Sequence, residues 1–71
     1  MTKETIKKRL EAKPFVPIKV KIAGGGEFEV PSRDHAHLHP KSRVLTIFID
    51  EGGTEFIDIA LVSSIHKAEP A

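Results

Sequence analysis

Between Val16 and Ile22 apolar residues fall on every even position (Val16, Ile18, Val20, Ile22), with Pro17, Lys19 and Lys21 between them. Gly24, Gly25 and Gly26 follow, and the alternation resumes as Glu27, Phe28, Glu29, Val30. A period of two describes a strand with one wet face, whereas an amphipathic helix needs apolar groups three and four apart. The glycines supply the freedom of a tight turn, so the two runs form a hairpin. Its parity is fixed, because a slip of one residue would carry every side chain to the wrong face. A three-residue loop sets Ile22 opposite Phe28, Val20 opposite Val30 and Lys21 opposite Glu29; a two-residue loop would oppose Ile22 to Glu27. The odd loop is expected. Pro17 cannot donate to a ladder and places the start of the first strand at a sheet edge.

The same logic recurs at Val44 to Asp50 and Thr54 to Leu61, which flank Glu51, Gly52 and Gly53. A three-residue loop with Gly53 in the left-handed region faces Ile47 with Ile57 and Leu45 with Ile59, and on the reverse Phe48 with Phe56 and Thr46 with Asp58. A two-residue loop would set Ile47 against Asp58. The first register separates polar from apolar better, but leaves Phe48 and Phe56 as an apolar pair away from the main core. Either the N-terminal helix or a second subunit should cover them.

Ahead of the strands, Thr2 is a fair N-cap, Glu4 lies in the first turn, and Lys7, Lys8, Arg9 and Lys13 follow where the helix dipole favours cations. Residues 2 to 13 are expected as a helix ended by Pro14, with a narrow apolar stripe of Ile6 and Leu10. Residues 31 to 42, PSRDHAHLHPKS, read as the long connection, and Ser64 to Ala68 as a short last edge strand closed by Glu69 and Pro70.

A chain of 71 residues allows one domain, and 39% hydrophobic with 30% charged residues fits a folded soluble one. It has no cysteine, which excludes disulfides, thiolate nucleophiles and cysteine zinc sites. The leading segment MTKETIKKRLEAK has no long apolar run, so neither a signal peptide nor a membrane span is expected and a cytoplasmic location follows. Net charge is +1 but unevenly placed: residues 1 to 22 hold seven basic and two acidic groups, the rest four basic and eight acidic. Such a dipolar chain steers toward a polyanion or toward the acidic end of a second copy, unless the basic helix is simply a solvated face.

A helix followed by strands at VPIKVKI, FEV, VLTIFID, FIDIAL and SIHKA resembles the order of the Sm-like small barrels, which bind RNA as rings. The glycine-centred first turn of that family corresponds to Ile22 to Gly25, and its late short strand to Ser64 to Ala68. A nearer resemblance, on PFVPIKVKI, GGGEFEV and SSIHKAEP, is to a group of short uncharacterised bacterial proteins with a basic N-terminal helix and a PFxP(F/I)-type first strand. Most of the chain is covered. The resemblance implies a fold and brings no activity with it.

Three constellations bear on chemistry. His35, His37 and His39 stand at i, i+2 and i+4, so an extended backbone would project three imidazoles to one side as metal ligands, with His66 or Asp34 to complete the set. A merely solvated or pH-responsive loop is the plainer reading. Lys7, Lys8, Arg9, Lys13, Lys19 and Lys21 offer phosphate contacts to a nucleic acid, although four phenylalanines, with no tyrosine or tryptophan, give little for bases to stack on. Ser63, Ser64, His66 and Asp58 contain the residue types of a nucleophilic triad, but at a sheet edge without evident oxyanion donors. The glycine triplet has no following Lys-Ser/Thr and no helix to make it a phosphate cradle.

The sequence thus predicts an α+β, mainly β domain spanning residues 1–71. Helix 2–13 packs on an antiparallel sheet of four or five strands (about 15–23, 27–31, 43–50, 54–61 and 64–68) curled toward a small Sm-like open barrel. The expected function is that of a non-enzymatic interaction module without cofactor that self-associates through Phe48 and Phe56. A core this small seldom gives more than about 3 to 5 kcal/mol, and free edges and a leftover apolar face invite a second chain. RNA binding by the basic helix and metal binding by the histidine loop are the alternatives.

Overall fold

The computed structural model describes residues 1–68. Helix α1 spans Lys3–Leu10. Thr2 caps it, its Oγ1 accepting from the Thr5 N–H at 3.3 Å, and Glu4 in the first turn with Lys7, Lys8 and Arg9 in the last match the helix dipole. The helix stops three residues short of the expected Lys13. The Glu11 N–H closes the last turn on the Lys7 carbonyl, and residues 11 to 13 bury nothing that would reward another turn.

Six strands follow: β1 (Ile18–Ile22), β2 (Glu27–Val30), β3 (Ala36–Leu38), β4 (Val44–Ile49), β5 (Gly53–Asp58) and β6 (Val62–Lys67). They form two separate antiparallel sheets, ordered β2-β1-β6 and β3-β4-β5. This overturns the expectation of one sheet curled into a small Sm-like barrel. Such a barrel needs strands that bend from one half into the other. Here Pro31, which has no N–H, ends β2, and a 3-10 turn at Arg33–His35 redirects the chain before β3 begins on the other sheet. No sheet closes. The connection expected over residues 31–42 therefore contains a strand, with Ala36 opposite Ile47, His37 opposite Thr46 and Leu38 opposite Leu45.

Both hairpins keep the expected parity but shift register by two. The Ile22 N–H donates to the Gly26 carbonyl at 3.1 Å, so the first loop is residues 23–25; Ile18 faces Val30, Val20 faces Phe28 and Lys21 faces Glu27. Val20 and Val30 are 1% and 0% exposed. In the second, the Gly52 N–H donates to the Ile49 carbonyl at 2.9 Å and Gly52, not Gly53, takes the positive φ of 96°. Leu45 then faces Ile57, Thr46 faces Phe56, Phe48 faces Thr54 and Ile47 faces Glu55. A shift of two returns each side chain to the same face, so polar and apolar separation alone does not select between these registers.

Three further boundaries differ. Asp58 Oδ1 accepts from the Ala60 N–H at 2.9 Å and opens a 3-10 turn at Ile59–Leu61, so β5 ends at Asp58 and β6 begins at Val62. The first strand starts at Ile18 rather than near residue 15, and β1 is central, so Pro17 sits outside the strand and off any edge; its carbonyl accepts from the Ala68 N–H. β6 is the edge strand foreseen. The closing pair Glu69 and Pro70 lies outside the described residues.

The inner faces of both sheets and the helix meet in one apolar cluster: Ile18, Val20, Val30 and Val62 from the first sheet, Ala36, Leu45, Ile47 and Ile57 from the second, Ile59 from the turn, and Ile6 and Leu10 from α1. Burying Ile6 and Leu10 is worth about 1.5–3 kcal/mol each, which holds an eight-residue helix that would not persist alone. The helix packs against β3 and does not cover Phe48 or Phe56, which stay exposed. Among the described residues no helix is long and apolar enough to cross a membrane.

Candidate binding surfaces

Alternation along β4 and β5 sends Leu45, Ile47 and Ile57 inward and leaves Phe48 and Phe56 on the solvent face of the second sheet. Phe56 is 73% exposed and Phe48 43%. They are not cross-strand partners, as the sequence suggested, but diagonal neighbours: Phe48 faces Thr54, and Phe56 faces Thr46. Phe56 lies on β5, whose outer edge has no strand beside it among the described residues. At one end of this face Arg43 Nε stands 3.9 Å from Asp58 Oδ1, an exposed and weak pair.

The basic residues fall on two elements. Lys7, Lys8 and Arg9 are exposed on α1, and Lys13 follows its end. Lys19 and Lys21 stand on the outer face of the first sheet opposite Glu29 and Glu27, and Lys19 Nζ is 3.8 Å from Glu27 Oε1. That face carries mixed charge. Lys7 belongs instead to a groove of about 460 Å³ between α1 and β3, where Lys3, Arg33, His37 and His39 converge with it. Leu10, Leu38 and Pro40 give the groove its apolar part; Glu4 and Glu11 flank Lys7 along the helix.

The histidines are held apart by their local backbone. His35 closes the 3-10 turn, its Nδ1 2.7 Å from Ser32 Oγ and its Nε2 2.6 Å from Asp50 Oδ1. His37 projects from β3 opposite Thr46, and His39 Nδ1 accepts from the Lys41 N–H at 3.0 Å. His66 lies on the other sheet, its Nε2 3.6 Å from Glu27 Oε2. Among the described residues no group of three or more histidine, aspartate or glutamate side chains is placed to hold a metal ion. Ser63 Oγ donates to the Lys21 carbonyl, and Asp58 is taken up by Ala60 and Arg43, so Ser63, His66 and Asp58 form no relay.

Compared with family models, curated proteins and solved structures, the chain matches none.

Two features lay beyond sequence reading. The Ser32–His35–Asp50 chain links the 3-10 turn to the β4–β5 loop across fifteen positions. Within it only the Ser32–His35 link is local in sequence, three residues apart. Asp50 also joins Glu27, Glu29 and Glu51 around an acidic cleft of about 460 Å³ between β2 and β4. The α1–β3 groove unites Lys3 and Lys7 with Arg33, thirty residues downstream of Lys3, and depends on β3 being a strand.

Proposed function

We propose that this protein is a non-enzymatic interaction module that assembles with a second copy of itself through the β5 edge and the aromatic face beside it. The exposure of Phe56, on an unpaired edge strand, carries this reading. A free edge offers unpaired backbone N–H and C=O groups, and an exposed aromatic next to it adds apolar area for a partner to cover. Natural strands left at an edge are usually protected by an inward charge, a proline or a bulge; β5, GTEFID, has no proline and pairs with β4 without a bulge, and Glu55, exposed on the side it shares with Ile57, is its one charge of that kind.

Charge favours one register for a two-fold β5–β5 pairing. Centred on Glu55, it would oppose two carboxylates directly. Centred on Phe56, it sets the two phenylalanines side by side, Thr54 against Asp58 and Glu55 against Ile57, with no like charges opposed. The second sheets of two copies would then run on as one, with Phe48 of each extending the aromatic stripe.

Light scattering with mass determination tests this. The native protein should exceed the single-chain mass of 7.8 kDa as concentration rises, and Phe56→Glu, at an exposed position that leaves the core intact, should return it to that mass. Native protein at the single-chain mass up to several hundred micromolar, on the order of a weak dimer's Kd, would refute the reading. An unchanged mass for Phe56→Glu would remove β5 from the interface.

A further inference from the structure

We propose that the groove between α1 and β3 binds a small phosphorylated molecule, with the phosphate held by Lys3, Lys7 and Arg33 and the remainder of the ligand laid on Leu38 and Pro40. The groove's volume, about 460 Å³, suits a ligand of nucleotide or sugar-phosphate size. Among the described residues none of the three cations has a carboxylate oxygen within 4.0 Å, although Glu4 and Glu11 stand on the same helix. Their charge is therefore available to an incoming anion. Arginine supplies a planar fork for phosphate oxygens and lysine a mobile point charge, a combination that gives charge-assisted hydrogen bonds of the stronger kind. His39 adds a donor: with Nδ1 accepting from Lys41, a neutral ring carries its proton on Nε2.

The same residues argue against a nucleic-acid strand. Glu4 and Glu11 lie three before and four after Lys7, so positive charge along the helix is bracketed by negative charge. A run of phosphates would meet these carboxylates one after another, whereas a single phosphate on Lys7 and Arg33 has the three cations Lys3, Lys7 and Arg33 against the two carboxylates lining the same groove. No phenylalanine lines the groove, and the chain has no tyrosine or tryptophan, so bases find no large ring to stack on there. The cleft between β2 and β4, ringed by Glu27, Glu29, Asp50 and Glu51, repels anions and leaves the α1–β3 groove as their place. It lies at the β3 edge of the sheet, the edge away from β5, and so is independent of the self-association surface.

Backbone-amide NMR titrations of the full chain with pyrophosphate and with adenosine monophosphate, at constant ionic strength, test the proposal. Adenosine and an oligouridylate of about ten nucleotides serve as controls. Saturable shifts at Lys3, Lys7, Arg33 and His37 with both phosphates, and none with adenosine, are expected. Lys7→Gln and Arg33→Gln, both exposed and outside the core, should each weaken binding by about tenfold without changing the melting temperature, and Glu11→Gln should strengthen it. Phe56→Glu should leave it unaltered. Absence of saturable shifts up to about 10 mM of either phosphate overturns the proposal. So do equal shifts with adenosine, or an oligouridylate that displaces the nucleotide and moves the Lys19 and Lys21 amides as well.

Discussion

Gly52 and Gly53 are adjacent, chemically identical and structurally unalike. Gly52 sits at φ +96° with open space where a Cβ would project, while Gly53 lies in β5 with only ordinary contacts near its own, Ile49 Cδ1 at 3.6 Å. Gly52→Ala should therefore lower stability by about 1 kcal/mol or more through backbone strain alone, and Gly53→Ala should be neutral or slightly stabilising through the unfolded chain. Denaturant melts of the two variants, with unchanged slope, decide this. A glycine pair marks a turn in any sequence. Which member turns left-handed depends on where the ladder closes, and the Gly52 N–H to Ile49 carbonyl bond that closes it is invisible in composition or periodicity.

Among the elements, α1 is the most dependent on its surroundings. Eight residues with two buried side chains stand near the limit for a helix, so each terminal hydrogen bond counts. Thr2→Ala removes the acceptor for the Thr5 N–H and should destabilise the protein by about 1 kcal/mol, seen as a lower melting temperature and less helical circular dichroism. The cap, the dipole-matched charges and the Ile6/Leu10 stripe were all legible beforehand. The strand parities were legible too, since period two separates the faces without further information. Registers were not, because an even shift preserves every inward and outward assignment. β3 was hidden for another reason: three residues, Ala36 to Leu38, are too few to display a period, and histidines on either side gave them the look of a loop. The α1–β3 groove needs that strand, so its cations could not be grouped in advance; of the six lysines and arginines chosen for nucleic acid, Lys7 alone reaches it.

At the scale of the whole molecule, two sheets without a shared ladder still make one body. The radius of gyration, 11.2 Å, is what a packed domain of this length has, about 11 Å. Side chains, not strand pairing, join the halves, because the cluster draws on both sheets and the helix together. If assembly through β5 adds to this core, stability must follow mass action. The melting temperature of the native protein should then rise with protein concentration, and that of Phe56→Glu should not. Scanning calorimetry over a hundredfold range, on the order of 100-fold in the binding term, reads the difference.

The first sheet sets Ile18 beside Lys67, so its central strand receives its second neighbour from the far end of the described chain. The β1–β2 hairpin is complete in the chain at residue 30, yet one flank of β1 stays bare until residues 31 to 61 have been passed and β6 follows. Pairing across so long a span is slow relative to closing a local hairpin, and until it is made the unpaired backbone of β1 and the apolar side chains of Ile18 and Val20 are open to other chains.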